Sequence, residues 1–365
     1  MKKFFIILSG LIIVTLMMPP VPSCAQSDWT KPELVLVPAG SFEMGNNEFA
    51  RSKPAHKVTI TEPFHIGKYE ISNQQYADML TYAMGKGYLN KEALVAKGKN
   101  RGYAKGNSKL PQKYQDVTDE HSQITVADGI FKPLPGKEKF PIVEVTWHGA
   151  AFFCNMLSEK EGLTPLYNLD DWSCQVYGKT GYRLPTEAEW EYVAKYDDGR
   201  KYPWGNDEPC DATANVKRQI ADPVEVATTP AGSKSPKGDS KLGVCDMVGN
   251  EAEFCNDWYN EDYTVCSSDT DPVGPTQSLF FNVPFFKQFR SAHVLRGGCY
   301  LTDPNFRKEY GVPFIIDSVV HPEAFNNSYR CYDIDGFSRQ VESFRIVKVT
   351  ATEKTKSQMS GPQAR

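Results

Sequence analysis

The most constraining feature of this sequence is the long irregular run of chain that follows Tyr196. Glycine, proline, aspartate and asparagine dominate it, and regular periodicity returns only near residues 294–296 and 343–349. Irregular chain must satisfy its backbone polar groups through side chains, water or bound ions. This requirement favours an α+β fold with structural calcium over a closed barrel or a doubly wound sheet.

Short regular elements are predicted around this irregular chain. Strands are predicted at residues 34–42 with a bend at 38–40, and at 58–61, 64–66, 141–147, 294–296 and 343–349; helices are predicted from Ser72 or Asn73, at 150–157 and at 186–195. Thr186 precedes Glu189 by three residues, which is the spacing of a capping box at a helix start.

Between residues 85 and 139 the composition changes to lysine, glycine, asparagine and aspartate, with scattered apolar residues. A segment of this length and composition is typical of a lid, a binding loop or a disordered insert. A solvated surface excursion is the other interpretation, and the sequence does not choose between them.

Size and charge exclude some classes of partner. The 365 residues suffice for one large domain or two modest ones, and 41 basic against 45 acidic residues give a net charge of −4. The chain has no surplus of basic residues, so its charge does not indicate nucleic acid or an anionic membrane surface as a partner. The 6 Trp, 18 Tyr and 20 Phe indicate either a large core or an aromatic-lined ligand surface.

Residues 1–25 have the pattern of an export signal. Two lysines precede an apolar run that is too short to span a membrane, and prolines follow it. Cleavage after Ala25 and lipid attachment at Cys24 remain alternatives, so contact with a membrane is expected only through such a lipid. Either way we expect an extracytoplasmic protein, located in the periplasm, on the outer membrane surface or secreted.

Beyond this signal, the sequence predicts a linker at 26–33, a domain at 34–349 containing the insert 85–139, and a disordered polar tail at 350–365. Eight of the nine cysteines follow the signal region. An even number in an oxidising compartment favours disulfides, although sequence alone does not choose the pairs. No Cys-His spacing matches a zinc pattern, and each of the six histidines reads as an isolated structural residue.

Eight short motifs occur in a fixed order along the chain. They are VPAGSFEMG at 37–45, YEISNQQY at 69–76, PIVEVTW at 141–147, GYRLPTEAEWEY at 181–192, YPWG at 202–205, DMVGN at 246–250, LRGG at 295–298 and SFR at 343–345. Together they resemble the formylglycine-generating-enzyme (sulfatase-modifying-factor) family over about residues 33–349. The resemblance implies a single α+β domain related to C-type lectins.

The resemblance also places the copper chemistry of the family. Its aerobic enzymes bind Cu(I) through two cysteines that follow a Gly-Gly-Ser motif, and thiolates are soft ligands that select Cu(I). Here those positions are Thr302 and Arg307, so copper is not expected. The third family cysteine is replaced by Ile346, and its disulfide partner would have been Cys154.

Cys299 stands where the family usually has serine. It is the one candidate for a reactive thiol near the family's catalytic position. The favoured alternatives are an inert residue or a disulfide with Cys331.

Calcium is the metal that the resemblance implies. The family binds it with a loop in which this chain keeps Asn250 and Glu253, and oxygen ligands of this kind suit Ca²⁺. Asn215 with the Val216 carbonyl is the candidate for a second calcium site. The alternative for Asn250 is a turn residue with left-handed backbone geometry.

These observations predict a non-catalytic family member that binds or assembles with a protein or peptide in the cell envelope. The alternative is a formylglycine-generating-type oxidase that acts on a protein cysteine through a different site. Carbohydrate binding is a weaker expectation, because it rests on analogy with lectins alone.

Overall fold

The computed structural model describes residues 29–94, 102–106, 112–216, 226–263, 267–278, 291–302, 322–334 and 337–351. The predicted export signal, Cys24, Arg307 and nearly all of the tail lie outside these ranges. None of the helices within them has the length and apolar character needed to cross a bilayer.

Three α-helices, three short 3₁₀ helices and fourteen short strands make up the regular structure of these ranges. The helices are Asn73–Gly85 (α1), Trp147–Lys160 (α2) and Glu187–Lys195 (α3). The strands are Leu34–Val37 (β1), Gly40–Met44 (β2), His56–Ile60 (β3), Phe64–Gly67 (β4), Tyr103–Lys105 (β5), Lys113–Asp116 (β6), Ile124–Ala127 (β7), Ile130–Pro133 (β8), Gly181–Arg183 (β9), Ala252–Trp258 (β10), Ala292–Arg296 (β11), Cys331–Ile334 (β12), Glu342–Ser343 (β13) and Val347–Val349 (β14).

Side-chain caps define where the helices begin. The Ser72 hydroxyl accepts the Gln75 N–H, and the Gln75 side chain accepts the Ser72 N–H, which closes a capping box at α1. Thr186 and Glu189 form the same arrangement at α3, as their spacing predicts. Thr146 caps α2 by accepting the N–H of Gly149. These bonds satisfy backbone donors that have no partner within the helix.

Two four-stranded sheets contain eight of these strands, and the two-stranded sheets β2-β3, β5-β6 and β7-β8 contain the other six. The first has the order β1-β4-β14-β9, and the second has the order β12-β11-β10-β13. All pairings in the first sheet are antiparallel, with β14 inserted between β4 and β9. In the second sheet β13 pairs with β10 in parallel, and the other pairs are antiparallel. Helix α2 is buried along most of its length and forms the centre of the larger core.

The predicted α+β class is confirmed, but some of the predicted elements are wrong. The segment 141–147 forms no strand: it makes isolated bridges at Pro141 and Val145, and Trp147 already belongs to α2. Glu144 has a left-handed φ of 57°, which interrupts any extended run. Consecutive buried residues here belong to an irregular core segment, not to a strand.

The segment 85–139 is more ordered than its composition predicts. Its described residues form the hairpins β5–β6 and β7–β8, and β8 packs against α1. The Tyr114 ring stacks on Phe152 of α2 with centroids 4.3 Å apart, and Phe131 is buried. The described part of the insert is therefore a layer over the core, not a solvated excursion.

The linker prediction also needs a correction, because Trp29 packs on the core. Its ring centroid lies 6.1 Å from that of Phe153, and the Lys160 ammonium lies 4.4 Å above it.

Replacing the cap residue of α3 tests how much the capping box contributes to the free energy of unfolding. Because Thr186→Ala removes the acceptor for the Glu189 N–H in a buried setting, we expect the free energy of unfolding to fall by about 1–2 kcal/mol. Urea denaturation followed by circular dichroism measures this change. The exposed Thr164→Ala is the control, and equal effects of the two substitutions would contradict the role given to the cap.

Candidate functional site

The loop after β11 lies where the family resemblance places its catalytic cysteines. It passes through Gly297 and Gly298, whose φ values are +90° and +66°. A Cβ at Gly297 would lie 2.7 Å from the Met247 carbonyl oxygen, so only glycine fits there. These two residues turn the chain inward and bury Cys299 completely.

Cys299 faces a hydroxyl rather than a second thiol. Its backbone N–H donates to Thr302 Oγ1 at 3.0 Å, and its Sγ lies 3.7 Å from the same oxygen. Thr302, at one of the family's two copper-cysteine positions, is thus brought beside the one thiol of this loop. A thiol and an alcohol do not make the two-sulfur site that Cu(I) selects.

The disulfide predicted as one alternative for Cys299 is wrong. The structure describes seven cysteines, and all of them are thiols, including Cys299, Cys331 and Cys154. Cys331 lies on β12, opposite Leu295 in the ladder, while Cys299 lies beyond the glycine turn. The glycine turn therefore takes Cys299 out of the ladder in which Cys331 is paired.

Burial also decides how reactive these thiols are. It raises the pKa of Cys299 to about 12, and the nearby Glu251 carboxyl adds to the effect. Cys210 is exposed, and its pKa is lowered by the hydroxyl of Thr213 and the N–H of Ala212. Since the thiolate is the nucleophile, Cys210 is the more reactive of the two.

The predicted calcium residues Asn250 and Glu253 are fully buried and face hydrogen-bond donors. Asn250 Oδ1 accepts from Asn215 Nδ2 at 3.0 Å and from the Thr229 N–H at 2.9 Å. Both Glu253 carboxylate oxygens accept from the Arg345 guanidinium. Oxygens already engaged by N–H groups do not fit a calcium cage.

The second predicted calcium pair is only partly in place. Asn215 directs its amide nitrogen towards Asn250 and the Ala227 carbonyl, and the described chain stops just after Val216. Asn250 has a left-handed φ of 61°, in agreement with the alternative of a turn residue. Calcium binding remains a prediction, and it would require the side chains around Asn250 and Glu253 to exchange partners.

The most specific motif, at residues 181–192, is structural. Arg183 pairs with Glu189 in a bidentate ion pair at 2.6 and 2.7 Å. Glu187 accepts from Arg296 at 2.6 Å and from Arg330 at 2.7 and 2.9 Å. These carboxylates are buried and paired, so they bind elements together and are closed to a ligand.

A cleft lined by aromatic residues opens at the other end of β11. His293 is stacked between Trp147 and Trp258, with centroid separations of 3.6 and 4.0 Å. Residues 172–174, Val176, Asn256 and residues 273–276 complete the lining of a cavity of about 290 Å³. Its aromatic walls with a few polar groups are typical of a site that binds an organic ligand. We call this cavity the aromatic pocket.

Composition left an aromatic-lined ligand surface as an alternative to a large core, and it did not indicate where a pocket would lie. Trp147 is part of a recognised motif, while Trp172 and Trp258 lie outside the recognised motifs. The pocket forms because β10 and β11 pair, and that pairing brings His293 opposite Trp258. No local signal in the sequence predicts this contact.

Asp257 lies between two pocket residues but points to α3, where its Oδ2 accepts the N–H of Glu187 at 2.8 Å. Burial, followed by the charge of Glu187, raises its pKa from 3.8 to about 8. The folded state therefore binds a proton that the unfolded state releases. The stability from this group is complete below pH 4 and is lost as pH rises through 8.

Asp257→Asn tests this titration. Because asparagine is neutral at every pH, we expect the variant to gain stability relative to the parent between pH 4 and pH 8, by about 1.4 kcal/mol at most for each pH unit. Urea unfolding at a series of pH values measures the difference. The exposed Asp170→Asn is the control, and a difference independent of pH for Asp257→Asn would contradict the assignment.

Thiol labelling tests the accessibility of Cys299. With iodoacetamide at neutral pH we expect the native protein to be labelled at Cys210 and protected at Cys299, because Cys299 is buried and protonated. Peptide mass spectrometry of native and urea-unfolded samples reads out both sites. Labelling of Cys299 in the native protein as fast as in urea would refute the buried position.

Comparisons with known proteins agree with this geometry. The model of the sulfatase-modifying factor enzyme 1-like domain matches residues 20–313. The formylglycine-generating enzyme of Streptomyces coelicolor is 26% identical over 318 residues, which cover 81% of this chain and 88% of that enzyme. A serine/threonine-protein kinase, Pkn1 of Chlamydia trachomatis, is 26% identical over 273 residues; this match covers 73% of the chain and 33% of the kinase. The chain thus spans about a third of that kinase's length.

Two further proteins resemble the chain in sequence or in structure. The chaperone protein LppX of Paenibacillus barcinonensis is 25% identical over 262 residues, covering 64% of this chain and 74% of LppX. Treponema denticola variable protein 1 superposes with a TM-score of 0.53 at 20% identity, covering 86% of this chain and 94% of its own. The latter likeness shows a shared fold.

Proposed function

Because the chain belongs to the sulfatase-modifying factor enzyme 1-like family, we propose that it is a non-catalytic, exported member that binds a protein or peptide partner in the cell envelope. The observation that carries this proposal is that Thr302, at one of the two positions of the copper thiolates, has a hydroxyl, which lies 3.7 Å from Cys299 Sγ. Without two neighbouring sulfur donors, the scaffold keeps the fold of the oxidases but not their soft-metal site.

The aromatic pocket is the proposed binding site. Trp258 is its partly exposed wall, while Trp147 and His293 are buried behind it and hold it in place. Partly exposed aromatic side chains that are fixed from behind are frequent anchors of protein interfaces. The pocket offers them to a partner without ordering a mobile segment.

Two relatives support a role other than oxidation. One is named a chaperone protein and the other a serine/threonine-protein kinase, so the domain occurs in proteins whose names describe other activities. The alternative is an oxidase of the formylglycine-generating type that uses a different site. The match to the Streptomyces enzyme over 88% of its length supports this alternative, which therefore needs its own test.

A copper and oxygen assay separates the two proposals. We expect the purified chain to bind less than a tenth of an equivalent of Cu(I) in competition with a chelator, because one buried thiol is a poor Cu(I) site. We also expect no oxygen uptake with a cysteine-containing sulfatase peptide, measured beside a formylglycine-generating enzyme as the positive control. Stoichiometric Cu(I) binding, or a formyl group on the peptide, would establish the oxidase instead.

The binding role is tested by capture from the native cell envelope with matched tryptophan variants. We expect Trp258→Ala to reduce capture of the partner at least tenfold, because it removes the accessible wall of the pocket. Trp204→Ala is the control: Trp204 is half-buried, stacks on Tyr202 and lies outside the pocket lining. Equal capture by both variants would exclude the pocket as the binding site.

A further inference from the structure

The aromatic pocket also indicates which kind of partner segment it binds. None of the described residues that line it is an aspartate, glutamate, lysine or arginine, so the lining does not select a charged side chain. Its volume of about 290 Å³ is too small to enclose a helix, whose diameter with side chains is about 10–12 Å. Given the binding role proposed above, on which this inference rests, we infer that the pocket binds an uncharged, proline-rich segment in the polyproline II conformation.

Two indole rings form a corner in the pocket. The planes of Trp147 and Trp172 lie at 71° to each other, with their centroids 6.4 Å apart. Trp258 lies closer to parallel with Trp147, at 25°, and His293 fills the space between these two rings. The facing sides of the two rings are therefore closed to a cationic ligand, which needs an open ring face. A corner of this kind suits a compact apolar ring such as the pyrrolidine of proline.

The backbone at Trp172 is held in an unfavourable conformation. Its φ is +60°, in the left-handed region that bulky residues rarely adopt. The turn around it is closed by two backbone bonds: the Asn168 N–H donates to the Ser173 carbonyl at 2.8 Å, and the Trp172 N–H donates to the Asn168 carbonyl at 2.7 Å. The His148 ring supports the indole, with centroids 4.7 Å apart. Strain of this kind persists only where the surrounding structure imposes it, and it is frequent at ligand sites.

A second wall of the pocket depends on a glycine. Gly274 has a φ of +75°, and a Cβ at this position would clash with Oδ1 of the buried Asp257. Glycine therefore allows residues 273–276 to lie against β10 and line the pocket. Val273 in this wall is 49% exposed. It adds an apolar side chain that a bound segment would cover.

The uncommitted nitrogen groups of the lining are hydrogen-bond donors. The Tyr167 hydroxyl accepts the Leu184 N–H at 3.0 Å and donates to Asn256 Oδ1 at 3.0 Å, which fixes the orientation of the Asn256 amide. Neither the Nδ2 of this amide nor the Nε1 of Trp172 or Trp258 has an acceptor among the described residues. The pocket therefore has three side-chain N–H donors available for the carbonyl groups of a ligand.

A polyproline II segment supplies the matching acceptors. It has no internal hydrogen bonds, so its carbonyl groups are free, and proline has no N–H that would need an acceptor in the pocket. The pyrrolidine ring is apolar and already restricted in conformation, so ordering it on a tryptophan costs little entropy. Uncharged aromatic walls that carry free N–H donors are the counterpart of such a segment.

Peptide binding to the purified chain tests this inference. We expect calorimetry to show one equivalent of decaproline bound with a dissociation constant of about 100 µM or lower, and no binding of a glycine-serine decamer. Trp258→Ala should weaken decaproline binding at least tenfold, because it removes the accessible wall. Asn256→Asp keeps the acceptor for Tyr167 but loses the Nδ2 donors, so it should weaken binding at least threefold. Trp204→Ala, outside the pocket lining, should bind as the parent does.

Three results would overturn the inference. The first is the absence of decaproline binding by the parent at a peptide concentration of about 1 mM. The second is decaproline binding of equal affinity by Trp258→Ala. The third is binding of maltohexaose in place of decaproline, lost in Trp258→Ala, which would assign the pocket to a neutral sugar. If Trp258→Ala fails to fold, as its far-ultraviolet circular dichroism would reveal, Asn256→Asp decides in its place.

Competition in the envelope-capture assay separates this inference from the proposed function. We expect decaproline at about 1 mM to lower capture of the partner by the parent at least fivefold, as it would for a shared site. Loss of capture in Trp258→Ala without any competition by decaproline would leave the binding role in place and reject the proline-rich ligand alone. Undiminished capture by Trp258→Ala would reject the pocket as the partner's site, whatever decaproline does.

Discussion

The fold depends on a buried network of two arginines and two glutamates. Arg296 on β11 donates to Glu187 and Glu191 on α3, and Arg330, next to β12, donates to Glu187. Glu191 also accepts the Gly45 N–H at 2.7 Å, which ties the end of β2 to the same network. Removal of one partner from such a group leaves an uncompensated buried charge, at a cost of about 3–5 kcal/mol. Helix α3, the sheet that contains β11 and β12, and strand β2 are therefore fixed to one another by the same few charges.

The network also explains why the most specific motif of the sequence, at residues 181–192, has a structural role and no catalytic one. Glu189 closes the cap of α3 and pairs with Arg183 of the same motif, while Glu187 and Glu191 pair with Arg296 from a distant part of the chain. Once paired in this way, they are closed to substrates. The rigid frame that these pairs build holds the irregular segments in place.

Local sequence signals predict the helices, whereas the strands depend on contacts between residues that are distant in sequence. The caps of α1 and α3 are readable because cap and helix are neighbours in sequence. Strand β10 is not readable in the same way, because its Glu253 and Asp257 are buried polar residues whose partners are Arg345 and the start of α3. Polar residues of this kind resemble loop residues until the contact is known.

The candidate sites likewise combine features that the sequence predicts with features that depend on long-range contacts. The loss of a cysteine at position 302 follows from motif spacing, while composition left an aromatic-lined ligand surface as one of two interpretations. The stacking of His293 between Trp147 and Trp258 is not predictable in this way, since each histidine reads as isolated until the chain folds. The predicted alternative of a disulfide between Cys299 and Cys331 is wrong, because the number of cysteines carries no information about the glycine turn that separates the two.

The position of β14 has a consequence for how the chain is made. β14 lies between β4 and β9, so these two strands, which are synthesised far earlier, lack their shared pairing partner until residues 347–349 have been made. A nascent chain on the ribosome consequently exposes one unpaired edge on β4 and one on β9 until β14 joins the first sheet. Such edges are prone to wrong pairing, so the interval before β14 is inserted is the one in which a holdase would protect this protein most.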